Sequence, residues 1–111
     1  MSQPPASWTN AFAAAAWAIF LGASAVGAIQ QPEVRALSAS YEPATLTVPA
    51  GTAVRFVNVD NDIHTFSQRG GGFESGLLFR GDTWTYVFNN PGVYEYFCLP
   101  HPWMAGTIVV Q

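Results

Sequence analysis

The segment Cys98-Leu99-Pro100-His101-Pro102-Trp103-Met104 sets a thiol, an imidazole and a thioether at three-residue intervals. In a loop, side chains at that spacing can converge on one point. A soft thiolate, an imidazole and a thioether together suit copper better than zinc or a hard cation. The chain has only one other histidine, His64, which follows Asn61-Asp62-Ile63. With it the set becomes two imidazoles and one thiolate in a trigonal plane, with methionine as a weak axial ligand, which is the donor set of a blue-copper centre. The candidate ligands are His64, Cys98, His101 and Met104.

Each of these residues also has a plainer role to be weighed against. A lone buried cysteine is usually an inert small hydrophobe, and a lone methionine usually fills a gap. The regular spacing of Cys98, His101 and Met104 between two β-rich runs separates them from that background. His64 rests on need: copper wants a second imidazole and no other exists. A Cys–His nucleophile pair leaves the methionine spacing unexplained and offers no third orienting group. Cys98 is the single cysteine, so an internal disulfide is excluded.

The elements that must position these residues begin near residue 34. From there, short β-rich runs alternate with turn residues, as in an all-β sandwich. Val34–Ser40, Thr45–Val48, Thr52–Asn58, His64–Gln68, Thr83–Phe88, Val93–Cys98 and Gly106–Val110 read as strands. Pro49-Ala50-Gly51, Arg80-Gly81-Asp82 and Asn89-Asn90-Pro91-Gly92 read as turns, and Gly70-Gly71-Gly72 as a loop. Phe56, Trp84, Tyr86, Phe88 and Tyr96 fall on one strand face and are expected in the core. The triple glycine has no helix or lysine behind it, so it is a poor phosphate cradle.

Residues 1–30 differ in composition from residues 31–111, giving a hydrophobic N-terminal segment and one β domain. The nineteen positions from Ala11 to Ile29 carry no charge, and nine of them are alanine. As a helix capped by Asn10 and ended by Gln30-Gln31-Pro32, this run reaches about 28 Å, near the hydrocarbon thickness of a bilayer. A cleaved secretory signal lacks its positive n-region here, because no Lys or Arg precedes Arg35. A soluble helix finds little room in so small a domain. A transmembrane anchor is therefore the expectation, of modest hydrophobicity, with Gly22 and Gly27 suited to close helix contact.

Residues 34–111 resemble a cupredoxin of the plastocyanin and amicyanin group. The stretch from Tyr94-Glu95-Tyr96-Phe97-Cys98 through Met104 is similar to amicyanin's short ligand loop, with both of its prolines. The resemblance implies an eight-stranded Greek-key β-sandwich and reversible one-electron transfer. It implies one copper, Cu(I)/Cu(II), held by His64, Cys98, His101 and Met104. It also implies that His101 is exposed through an apolar patch where redox-partner proteins dock. Many relatives have asparagine after the first histidine and threonine or serine after the cysteine, tying the two loops. Thr65 and Leu99 stand at these positions here, so that tie is expected to be missing or replaced. Pro100 has no N–H, which leaves the amide of Thr65 as the candidate donor to the Cys98 sulfur.

The remaining function classes narrow quickly. The net charge is −3, and the only basic residues are Arg35, Arg55, Arg69 and Arg80, so nucleic-acid binding is excluded. Copper oxidases and nitrite reductases need further histidine-rich centres, and both histidines are already used, so an electron carrier rather than an enzyme is expected. A copper-delivery protein would carry a methionine- or histidine-rich site, whereas Met1 and Met104 are the only methionines. A copper-relay subunit of a larger membrane respiratory or photosynthetic complex is compatible with the same residues. Free-thiolate copper centres are usually assembled outside the cytoplasm, which places residues 31–111 on the periplasmic or extracellular side.

Overall fold

The computed structural model describes residues 31–111. The expected helix over residues 11–29, and with it the membrane anchor, lies outside the described residues. Among those described, no helix is long and apolar enough to cross a membrane. They form eight strands: β1 (Glu33–Ala36), β2 (Tyr41–Glu42), β3 (Thr45–Val48), β4 (Thr52–Asn58), β5 (Ser67–Gln68), β6 (Thr83–Phe88), β7 (Gly92–Phe97) and β8 (Ala105–Val110). One sheet has the order β2-β1-β4-β6 and the other β3-β8-β7-β5. The β1–β4 and β3–β8 pairs are parallel and the rest antiparallel.

The alternation read in the sequence builds the two inner faces. In β4, Val54 and Phe56 are buried while Arg55 between them is exposed and pairs with Glu33 at 3.6 Å. In β8, Gly106, Ile108 and Val110 are buried. Phe56 is the hub of the core, with its ring centroid 4.7 Å from Phe66, 5.3 Å from Trp84 and 6.0 Å from Tyr96. Aromatic pairs of this kind add roughly 0.5–1.5 kcal/mol each beyond the area they bury.

Three expectations from the sequence change in detail. Trp84 and Tyr86 are only half-buried, because β6 lies at the edge of its sheet; Phe56, Phe88 and Tyr96 are core as expected. The first strand stops at Ala36, where Leu37 N donates to Ser40 O at 2.8 Å and turns the chain into β2. The expected strand from His64 to Gln68 is regular only at Ser67–Gln68. The reason is that two of its amides go to side chains instead of a neighbouring strand. Thr65 N donates to Cys98 Sγ and Phe66 N to Ser75 Oγ.

Topology brings the site residues to one end of the sandwich. β7 and β8 pair through Phe97 and Ala105, so residues 98–104 form the hairpin loop that they close. Ser67 of β5 pairs with the same Phe97, which carries the segment just before β5, and His64 with it, alongside Cys98. His64 is held from the other side by Leu78: each amide donates to the other's carbonyl, at 3.1 and 2.9 Å.

Gly106 faces Tyr96 across the β7–β8 pair, and a methyl group there would strike the Tyr96 ring end. The Tyr96 ring is fully buried and cannot swing out of the way. Gly106→Ala should therefore lower unfolding stability by about 1–3 kcal/mol, the usual cost of overpacking. Denaturant unfolding of the two proteins measures it, and equal stability would show that the two sheets part more easily than their packing implies.

Candidate metal centre

The three-residue spacing of the loop is also the period of its hydrogen bonds. His101 N donates to Cys98 O at 3.2 Å, and Met104 N donates to His101 O at 2.8 Å. Cys98 N closes the loop by donating to Met104 O at 3.2 Å. Each of the first two bonds spans one turn, so Cys98, His101 and Met104 stand at successive turn corners. Pro102 occupies the first central position of the second turn, where its fixed φ fits.

These turns and the bridge at Leu78 gather the donors. Cys98 Sγ lies 3.5 Å from His64 Nδ1 and 3.5 Å from His101 Nδ1. The three donor atoms all lie within 4.8 Å of one another. Cys98 and His64 are fully buried, Met104 is 1% exposed and His101 is half-buried. The structure thus brings three of the four candidate ligands together by their donor atoms, and buries Met104 at the end of the same loop. One thiolate with two imidazoles, shielded from water, is a donor set suited to copper. The residues present fit that ion.

The tie between the two loops is replaced, not missing. Leu99 has no polar side-chain atom, but its backbone N donates to Thr65 Oγ1 at 2.9 Å. Thr65 N donates to Cys98 Sγ at 3.4 Å, which is the sulfur contact expected from the sequence. Thr65 O accepts from the Tyr41 hydroxyl at 2.5 Å, and Thr65 Oγ1 lies 2.8 Å from Ser67 Oγ. Burial pushes the Tyr41 hydroxyl's pKa far up, with the nearby Cys98 adding to the effect, so it stays a donor.

Two residues escaped the sequence reading. Asp60 Oδ2 accepts from His64 Nε2 at 2.8 Å, on the ring edge opposite Nδ1. That hydrogen bond holds the Asp60 carboxyl below its ordinary range. Asn58, fully buried, holds the Asp60 segment: its Nδ2 donates to Asp62 O and Leu78 O, and its Oδ1 accepts from Asp60 N. The signal available was a carboxylate four residues before a candidate ligand histidine, with a buried amide two residues earlier.

On the solvent side, the rim of His101 is apolar. Trp103 is 69% exposed and packs edge-on to the His101 ring at 5.4 Å, while Leu99 is 53% exposed. Pro100 and Pro102 are exposed as well.

Thr65→Val keeps the shape of the side chain and removes the acceptor for Leu99 N. The amide is then left without its partner, at a cost of about 1–3 kcal/mol. Denaturant unfolding of the metal-free protein should register that loss. No loss would mean that the Thr65–Leu99 contact does not hold the loops together.

A family model described as Cupredoxin-like domain matches residues 10–110. Amicyanin-alpha of Methylorubrum extorquens is 32% identical over 101 residues, covering 82% of this chain and 85% of the relative. Among solved structures, a purple cupredoxin from Nitrosopumilus maritimus superposes with a TM-score of 0.69 at 29% identity, over 73% of this chain and all of that one. A copper-containing nitrite reductase of Thermus scotoductus reaches 0.70 at 29% identity, over 74% of this chain. The match spans only 22% of the reductase, a single domain of the larger enzyme. Fold, donor set and relatives agree: the chain belongs to the cupredoxins, electron-transfer proteins that bind one type 1 copper.

Proposed function

We propose that this chain is a single-electron carrier whose copper is held by His64, Cys98, His101 and Met104, and that it works tethered to a membrane. The observation that carries the site is the clustering of a buried thiol and two imidazole nitrogens within 4.8 Å of one another. Copper in such a site supplies a one-electron couple between Cu(I) and Cu(II). His64 Nδ1, His101 Nδ1 and Cys98 Sγ are the atoms that would hold it. Met104, buried at the end of the same loop, would add a weak thioether donor that tunes the potential more than it holds the metal.

The chain's own contribution is to keep those donors in place in both oxidation states. The amide of Thr65 donates to the Cys98 sulfur, the turns of residues 98–104 fix His101 and Met104 relative to it, and the Leu78 bridge fixes His64. Pro100 lacks an N–H and cannot supply a second such donor. At the family level, amicyanin- and plastocyanin-type relatives are electron carriers, not enzymes. Electron exchange is assigned to His101, whose half-buried ring is rimmed by Leu99, Pro102 and Trp103, whereas His64 is sealed inside. A partner approaching that rim displaces little bound water, which suits a small, short-lived contact.

The tether rests on the uncharged run from Ala11 to Ile29. With that run in the bilayer, residues 31–111 sit on the periplasmic or extracellular side. Membership of a larger membrane respiratory or photosynthetic complex would be a permanent form of the same arrangement.

Two experiments test these assignments. The oxidised, copper-loaded protein should be strongly coloured by thiolate-to-copper charge transfer, and Cys98→Ser should abolish the band entirely. Retention of the band by the serine variant would contradict the site. Separately, the full chain should partition with membranes and require detergent for extraction; a monomer in the aqueous fraction would refute the tether.

A further inference from the structure

His64 is the ligand with the least freedom, and one side chain outside the donor set controls its ring. Asp60 Oδ2 is 2.8 Å from His64 Nε2, while His64 Nδ1 is turned toward Cys98 Sγ at 3.5 Å. A carboxylate only accepts, so Nε2 must carry the ring's proton and Nδ1 must present its lone pair. The contact therefore sets the tautomer that a metal ligand requires. It is shielded, since the His64 side chain is fully buried and that of Asp60 is 17% exposed. Asp60 is itself braced, because its amide donates to the buried Asn58, which also grips Asp62 O and Leu78 O. Leu78 is the residue whose backbone bonds His64 in both directions. The carboxylate and the imidazole are thus referred to one rigid frame.

We propose that Asp60 is a positioning residue for the copper, fixing the His64 ring through Nε2 and biasing the bound ion toward Cu(II). The proposal rests on the copper reading above. A carboxylate hydrogen-bonded to the far nitrogen of a ligand imidazole makes that imidazole a stronger donor. Its negative charge also favours the more highly charged ion. Both effects stabilise Cu(II) over Cu(I) and lower the reduction potential. Asp62 is an internal control. It has the same charge and lies two positions away, but its side chain is exposed to solvent, where charge is screened.

The experiment is redox titration of copper-loaded full-length protein and its Asp60→Asn, Asp60→Ala and Asp62→Asn variants. Asparagine still offers an oxygen to Nε2 but carries no charge; alanine offers neither. Asp60→Asn should keep the blue band and move the Cu(II)/Cu(I) balance toward Cu(I) by about tenfold, about 59 mV upward for a one-electron couple. Asp60→Ala should shift it at least as far and, by freeing the ring, also weaken copper retention by tenfold or more, in the range found for such supporting partners. Asp62→Asn should move the potential by far less. The potential itself is the readout that a purely structural role for Asp60 would not move. An unchanged or lowered potential in blue Asp60→Asn protein, or a shift matched by Asp62→Asn, overturns this role while leaving the copper site standing. A parent protein without the blue band overturns the copper reading and this role with it.

Discussion

Thr65 is the residue on which the centre depends, because it uses every polar atom it has to join separate parts of the fold. Its amide reaches the Cys98 sulfur, its hydroxyl receives the amide of Leu99, and its carbonyl receives the Tyr41 hydroxyl. The residue is fully buried, so each of these bonds stands in place of a contact with water that burial removed. Losing one would leave a polar group stranded. The loop before β5 and the loop after β7 are thereby locked at the point where two imidazoles must meet one thiol. The same bonds interrupt the strand expected there, since amides spent on a sulfur and on the Ser75 hydroxyl are not free for a ladder.

This arrangement suits electron transfer because the placement of the candidate ligands is a property of the protein fold. The donor atoms cluster through turns, bridges and buried hydrogen bonds made entirely by the chain. A site whose shape is set by its surroundings changes little when the ion's charge changes, and a small change in shape means a small barrier. The aromatic core centred on Phe56 supplies the stiffness beneath the loops. The two imidazoles differ in exposure: His64 is enclosed, and His101 faces an apolar rim, the side to which the proposed function assigns electron exchange.

Much of this was legible in the sequence because the relevant signals are local. Strand alternation in Thr83–Phe88 gave the inward face of β6, and the Cys98, His101 and Met104 spacing reflects turn hydrogen bonds that repeat every three residues. His64 was legible only by need, since no local pattern marks a histidine as a ligand. The rest depended on contacts between distant segments. Thr65 and Leu99 looked like a broken tie because side-chain inventory does not reveal a backbone amide doing the same work. Asp60 was missed for a different reason: a carboxylate four residues before a histidine is a local signal, but only the turn between them shows that it meets the far side of the His64 ring. Trp84 and Tyr86 read as core because alternation reports which face a residue is on, not whether its strand lies at the sheet's edge.

The central claim is that the three clustered donors bind copper as a thiolate-centred trigonal site. Electron paramagnetic resonance of the oxidised full chain, combined with copper-edge X-ray absorption, tests it most directly. The account predicts one copper per chain, a short copper–sulfur bond with two imidazole nitrogens, and the narrow hyperfine splitting of a strongly covalent thiolate site. A wide splitting from tetragonal nitrogen and oxygen ligation, with no sulfur in the first coordination shell, would contradict it.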